Sequence, residues 1–338
     1  MNKICVSTSS KNEKHIIEWI NYYIKIGIDY FIIYDDLSDI PIENIFIENN
    51  IDKSIYTIFR NTDTNNLYKN LEEIYIIHRG YHPYTWKNLI VPKLIEKNID
   101  YLLYVDVDEF LYINNFKNIQ ELVTHYLPFD VLKINWLFFG SNNLLNNDGI
   151  NNIIDLFSRS NNVLCNSTTA LKTITKVLSI SLDNNTYQYG PHTLPIIENS
   201  IVKDIENNLQ LSYGNNLDHL TKSLLDNNYE NKIYIAHYSC QDLITFVRRK
   251  FTNKENYYWW INAIGINSRK SIYNYIDIIN ANFNEFVNYL YYKINNPIEE
   301  NNFNIPNEYI NKIISLYNLF NTNNIINNNL YNFKYSIV

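Results

Sequence analysis

Tyr101-Leu102-Leu103-Tyr104-Val105-Asp106-Val107-Asp108-Glu109-Phe110 passes from five apolar residues directly into three carboxylates. An apolar run of strand length, without polar alternation, is the pattern of a central strand covered on both faces. Upstream, residues 3–7, 30–34 and 54–59 have the same β-type composition, and residues 130–138 repeat it downstream. Helical periodicity separates them. Ile16, Ile20, Tyr23 and Ile24 fall at i, i+4, i+7 and i+8 within 13–26, with Asn12 placed to cap and Gly27 to terminate. Residues 85–98 read as a helix kinked at Pro92. The β-α-β-α-β order predicts an α/β fold with a mostly parallel central sheet and ligands outside the carboxyl ends of its strands.

Past about residue 140 the pattern weakens into Asn-rich loops. Strands are expected near 171–177, 188–194, 197–202 and 232–237, and a helix over 242–251. Residues 271–320 hold at least two amphipathic helices, and the tail from Asn321 frays unless Tyr331, Phe333 and Tyr335 dock as a strand.

Composition narrows the function classes. A chain of 338 residues that is 46% hydrophobic buries a core without a disulfide or structural metal. Its 30 Tyr, and its many Asn and Ile, use AT-rich codons and report genome composition. A net charge of −7 opposes general nucleic-acid binding, which needs a basic face. Cys5, Cys165 and Cys240 are widely spaced and read as reduced thiols. The first ten residues lack the apolar stretch of a signal peptide, and no run is long enough to span a membrane, so a cytoplasmic location is expected.

Chemistry concentrates at three strand ends. Side chains alternate along an extended segment, so Asp106 and Asp108 are expected on one side, where two carboxylates suit a hard divalent cation. Such a cation can bridge a diphosphate and neutralise a leaving group. Residues Ser7 to Glu13 follow the first strand and open a helix, a position that favours anions. Asp35-Asp36-Leu37-Ser38-Asp39 follows the second strand with carboxylates able to accept from a ribose or base N–H. No glycine fingerprint supports a dinucleotide site. Taken singly, each segment also fits an ordinary polar turn.

As an ordered set the segments resemble the family-2-like and family-92 glycosyltransferases. Lys11-Asn12-Glu13, Glu18-Trp19-Ile20, Gly27 and Tyr34-Asp35-Asp36-Leu37-Ser38-Asp39 look like that family's opening. Asp106-Val107-Asp108-Glu109-Phe110 looks like its DxDEF motif, and Trp136-Leu137-Phe138-Phe139-Gly140-Ser141 like its W-x-x-FGS segment. Lys172-Thr173-Ile174-Thr175-Lys176 and His237-Tyr238-Ser239, with Phe246 and Lys250, resemble its later elements. The chain departs at Asn142-Asn143 and Gln241-Asp242, which bears on the acceptor more than on the fold.

The resemblance implies a GT-A fold over 1–255, with a nucleotide-binding half at 1–115, an acceptor half at 116–255 and a helical extension at 256–338. It implies a UDP-sugar donor, Mn²⁺ or Mg²⁺, and transfer to a glycan or protein hydroxyl with inversion. Carried over residue by residue, Asp106, Asp108 and His237 hold the metal, with His192 in reserve. Asp106 also faces the ribose. Ser7, Lys11, Asn12, Glu13 and Asp35 line the nucleotide-sugar pocket, and Asp35 meets uridine. Trp136 and Ser141 lie on the acceptor side, and Lys250, beside Arg248 and Arg249, offsets diphosphate charge. Asp108 and Glu109 are the catalytic carboxylates, although Glu109 can equally brace the loop. The general base is open, with Asp148, Asp155 and Asp183 as other candidates. Tyr257-Tyr258-Trp259-Trp260 reads as helix-packing glue ahead of a sugar platform. A nucleotidyltransferase lacks its usual Gly-rich loop here, and a non-catalytic scaffold of the same fold is the other alternative.

Overall fold

The computed structural model describes residues 2–60, 85–139, 152–156, 170–182, 192–210 and 232–238. The first strand, β1 (Ile4–Ser10), is buried along nearly its whole length. Helix α1 (Ile16–Lys25) follows, burying Ile16, Trp19, Ile20 and Tyr23 at i, i+3, i+4 and i+7. It begins later than the pattern suggests. Asn12 does not cap it, because the N-cap is His15, without a side-chain cap bond. Asn12 instead takes a left-handed φ of 54°. Gly27 does end the helix, at φ 95°; a Cβ there would lie 2.9 Å from the Gln120 Oε1.

Strand β2 (Tyr30–Asp35), a short helix α2 (Ile42–Glu48) and β3 (Tyr56–Arg60) complete the first three-strand layer. Pro92 sits in the first turn of α3 (Val91–Glu96), directly after a π-helical turn, Trp86–Ile90. Then come β4 (Tyr101–Tyr104), β5 (Glu109–Ile113), α4 (Ile119–Tyr126), β6 (Val131–Phe138), β7 (Leu171–Lys176), β8 (Val202–Asp204) and β9 (Ile233–His237).

The strand order is β3-β2-β1-β4-β7-β6-β9-β5, with β8 against β6. The ladders among β1, β2, β3 and β4 are parallel, as is β6 with β8. The expected mostly parallel α/β sheet is therefore present. Strand β7 runs antiparallel between β4 and β6, and β5 pairs antiparallel with β9. The strand expected at 197–202 is displaced, because β8 begins only at Val202. Among the described part of 188–194, residues 192–194 form no strand.

Elements that the apolar periodicity does not pick out are α2, β5 and α4. Helix α4 does carry a sequence signal in Asn118 and Glu121, three residues apart. The Asn118 side-chain Oδ1 accepts from the Glu121 N–H at 2.9 Å, and the Glu121 carboxylate accepts from the Lys117 N–H at 2.7 Å. Gln120 on the same helix donates to the Gly27 carbonyl and, at 3.0 Å, to Asp29. Asp29 in turn accepts from the Ile4 N–H at 2.8 Å, tying α4 to the start of β1.

By internal contacts the chain divides into two units, 1–137 with 163–237, and 138–162 with 238–338. In the second, Ile153 is fully buried and the Phe139 and Tyr238 rings lie 4.8 Å apart. The other elements described above, with β6 as far as Leu137, belong to the first.

Asp130 locks the entry to β6. Its carboxylate accepts from the Ile201 N–H at 2.8 Å and the Ser179 hydroxyl at 2.7 Å, with the Lys176 ammonium 3.7 Å away. Partial burial works to raise its pKa, but these hydrogen bonds and the Lys176 charge together hold it below the ordinary carboxylate value. A carboxylate depressed on folding stabilises above its unfolded pKa and stops doing so as pH falls through the folded value. Asp130→Ala is expected to cost about 1.5–3 kcal/mol near pH 7. That deficit should shrink in urea unfolding curves as pH drops below about 4.

Candidate functional site

The parallel strands β1, β2, β3 and β4 bring their carboxyl ends to one edge of the sheet. Beyond β4 the chain does not continue extended, as the alternation argument assumed. Residues Asp106 to Glu109 form a turn closed by the Glu109 N–H on the Asp106 carbonyl at 3.0 Å. The Glu109 side chain folds back, so that its Oε2 accepts from the Asp106 N–H at 2.7 Å. Two residue types thus separate within one turn: Asp106 is 29% exposed, whereas Asp108 and Glu109 are buried.

The turn is packed from three sides. From α1, the Tyr23 hydroxyl donates to the Glu109 carbonyl at 3.0 Å and accepts from the Leu111 N–H at 3.1 Å. From β9, register places His237 opposite Glu109. The His237 Nε2 lies 3.7 Å from the Asp108 Oδ1, and its Nδ1 lies 3.9 Å from the Glu109 Oε1. From β7 comes Lys172, wholly buried, with Nζ 3.1 Å from the Asp106 Oδ2 and 3.0 Å from the Glu109 Oε2.

Trp136, at the end of β6, forms the wall of this cluster. Its ring centroid is 4.4 Å from that of His237 and 4.6 Å from that of His192. The Lys172 Nζ lies 5.7 Å from the Trp136 centroid and 5.8 Å from that of Tyr104. The His192 Nδ1 bonds the Leu171 carbonyl at 3.1 Å, which makes Nδ1 the protonated nitrogen. Burial, helped by the Lys172 charge, pushes His192 down to about 4, so it is neutral at pH 7.

Charge is tightly constrained here. Burial works against the Lys172 ammonium, but Asp106 and Glu109 outweigh it and hold the pKa above the usual lysine value. Burial drives Glu109 well above the carboxylate range, and the neighbouring Asp106 and Asp108 charges push the same way against Lys172. Lys172 is therefore the fixed cation of the site, and Asp106 is its principal counter-ion.

The other expected contacts lie around β1 and β2. Ser7 is fully buried opposite Tyr104 in the β1–β4 ladder, and its hydroxyl finds no hydrogen-bond partner among the described residues. Lys11 and Asn12 are exposed and Glu13 half-buried. The Asn12 amide is paired with Asp39, donating at 3.2 Å and accepting at 2.7 Å, which joins the loops after β1 and β2. Asp35 points inward at 1% exposure. It accepts from the Ser38 N–H at 2.8 Å, the Ile42 N–H at 3.2 Å and the Arg60 guanidinium.

The structure thus gathers Asp106, Asp108, Glu109, Trp136 and His237 around one turn, and holds Asp35 in a separate loop lock. Ser141, Asp148, Asp183, Arg248, Arg249, Lys250 and residues 257–260 lie outside the described residues, as does the side chain of Asp155. Lys172 is the residue that motif reading assigned no role. Its signal was a lysine inside an otherwise apolar and Thr-rich strand segment, Leu171-Lys172-Thr173-Ile174. Among the described residues, no three His, Cys, Asp or Glu side chains gather closely enough to cage a metal by themselves.

No protein-family model matches the chain, and no curated protein does. Among solved structures it is similar to the mannosyltransferase Ktr4p of S. cerevisiae, at 10% identity and TM-score 0.28 over 42% of this chain and 41% of that one. The GDP complex of the same mannosyltransferase matches at 10% identity and TM-score 0.26, over 44% and 43%. A 4-diphosphocytidyl-2C-methyl-D-erythritol synthase from Anaerococcus prevotii matches at 9% identity and TM-score 0.26, over 68% and 95%. The chain spans about two fifths of the length of the mannosyltransferase. At these scores the likeness says nothing about chemistry, which the side chains alone must supply.

Removing one member of a buried ion pair strands the charge of the other. Lys172→Met is expected to cost about 3–5 kcal/mol in denaturant unfolding.

Proposed function

We propose that the chain is a metal-dependent glycosyltransferase that moves a sugar from a UDP-sugar to a hydroxyl of a glycan or protein, with inversion. One observation carries this reading: an acid turn at the carboxyl end of a buried parallel strand, with the Asp108 carboxylate and the His237 imidazole 3.7 Å apart. The ordered motif resemblance from Lys11 to Lys250 supplies the donor class.

The donor set fits a divalent cation. Carboxylate and imidazole suit Mn²⁺, and a cation shared with a diphosphate needs only one or two protein ligands. Asp108 and His237 would hold it, with Asp106 on the same turn. When bound, it would stabilise the negative charge that develops on the departing diphosphate.

The chain's own residues do the rest. Glu109, wholly buried and bound to Lys172 and the Asp106 N–H, braces the turn and is not the base that takes the acceptor proton. Trp136 orients His237 from within the wall instead of meeting the acceptor. Asp35 shapes the β2 loop through Ser38, Ile42 and Arg60, so contact with the base falls to groups that this loop and Asn12 present. Asp106, with part of its carboxylate in solvent, faces the ribose.

Thermal unfolding with UDP, GDP or CDP, each with Mn²⁺, Mg²⁺ or EDTA, tests the reading. Ligand at 100 times its dissociation constant adds ~2.7 kcal/mol, so a clear rise that needs UDP and Mn²⁺ together is expected. Asp108→Ala should abolish that rise while the protein remains folded. A folded protein with no shift under any combination would favour a non-catalytic scaffold.

A further inference from the structure

We propose that His192 is the catalytic base of this site, its Nε2 taking the proton of the acceptor hydroxyl as that oxygen attacks the donor sugar. This rests on the glycosyltransferase reading above and goes beyond it by naming the base that the motifs leave open. A new bond joins the acceptor oxygen to the anomeric carbon, and the bond from that carbon to the diphosphate breaks. Its electron pair leaves with the nucleoside diphosphate, and the acceptor proton moves to Nε2.

The tautomer of His192 is fixed by its neighbour. Nδ1 lies 3.1 Å from the Leu171 carbonyl, which can only accept, so Nδ1 carries the proton and Nε2 the lone pair. Nε2 has no hydrogen-bond partner among the described residues, and the ring is only half-buried. Two elements already engaged with the acid turn set its position. Leu171 directly precedes Lys172 on β7, whose ammonium meets the Asp106 Oδ2 at 3.1 Å. Trp136 carries His192 at 4.6 Å and His237 at 4.4 Å between ring centroids. The two imidazoles make no ring contact with each other, so His192 meets a different part of the indole from His237.

The carboxylates nearby are less suited to the task. Glu109 is wholly buried and bound to Lys172, and Asp106 meets the same ammonium. A base needs an open lone pair at the surface of the site, and His192 has one. Burial, helped by the Lys172 charge, keeps its imidazole neutral at pH 7 against the opposing pull of the Leu171 carbonyl and Asp106. A neutral base also adds no negative charge to a site that receives a diphosphate.

Release of UDP from UDP-glucose, UDP-galactose and UDP-N-acetylglucosamine by the full chain with Mn²⁺, with water as the acceptor, tests this. His192→Asn keeps an N–H for the Leu171 carbonyl but has no basic nitrogen. It is expected to release UDP about 10²–10⁴-fold more slowly than wild type, with the thermal rise given by UDP and Mn²⁺ unchanged. His192→Ala should be as slow, and free imidazole should restore at least about tenfold of its rate, which a merely structural role would not give. A folded His192→Asn within about threefold of the wild-type rate overturns the inference, and so does loss of the UDP and Mn²⁺ rise in a folded variant. Should one variant not fold, the other decides. A wild-type chain that shows the rise but releases UDP from none of the three donors overturns it too. No rise in wild type overturns the glycosyltransferase reading itself, an outcome distinct from the others.

Discussion

A buried ammonium held between Asp106 and Glu109 organises this molecule. Lys172 is fully enclosed, and a charge in that position is tolerable only where opposite charge meets it at hydrogen-bond distance. That requirement fixes three things together. Strand β7 must insert beside β4, the turn after β4 must curl so that Glu109 reaches back, and the rings of Tyr104 and Trp136 must close around the amine. The interaction adds little net stability over a well-packed apolar core, but it admits few alternatives.

Tyr23 plays the matching part from the helical layer. Its hydroxyl both donates to the Glu109 carbonyl and accepts from the Leu111 N–H, so a single side chain satisfies two backbone groups where β5 begins. Its ring stacks on Phe110 and meets Trp19 edge-on. The acid turn is thereby gripped between a helix selected by apolar periodicity and a lysine that periodicity does not select. Polar precision at the sheet edge rests on apolar packing behind it.

The parallel core was legible because its signals are local. Apolar runs at 30–34 and 101–105 became buried strands, and the stripe Ile16, Ile20 and Tyr23 became the inner face of α1. Asp106, Asp108 and Glu109 were legible for the same reason, since they follow one such run. What escaped is non-local or short. The partnership of Lys172 with Asp106 spans 66 residues, and nothing near either residue announces it. Asp35 reads from its place after a strand as a nucleotide contact, and the sequence does not announce that Arg60 from β3 and the Ser38 and Ile42 amides meet its carboxylate. The five residues of β5 are too few for periodicity to separate them from an acidic turn.

The antiparallel insertion of β7 also imposes a timetable on synthesis. While the chain is being made, β1 can cover one side of β4, but the other side has no partner until residues 171–176 exist. Translation at about 5–20 residues per second makes the 66-residue gap between Asp106 and Lys172 last on the order of 3–13 s. Through that interval the nascent chain carries an open apolar strand edge, the kind of template on which strands from other chains pair. The carboxylates of residues 106–109 are uncompensated over the same period, and their mutual repulsion and hydration keep that end of the edge wet. The acid turn thus acts as a gatekeeper against aggregation before Lys172 arrives to close it.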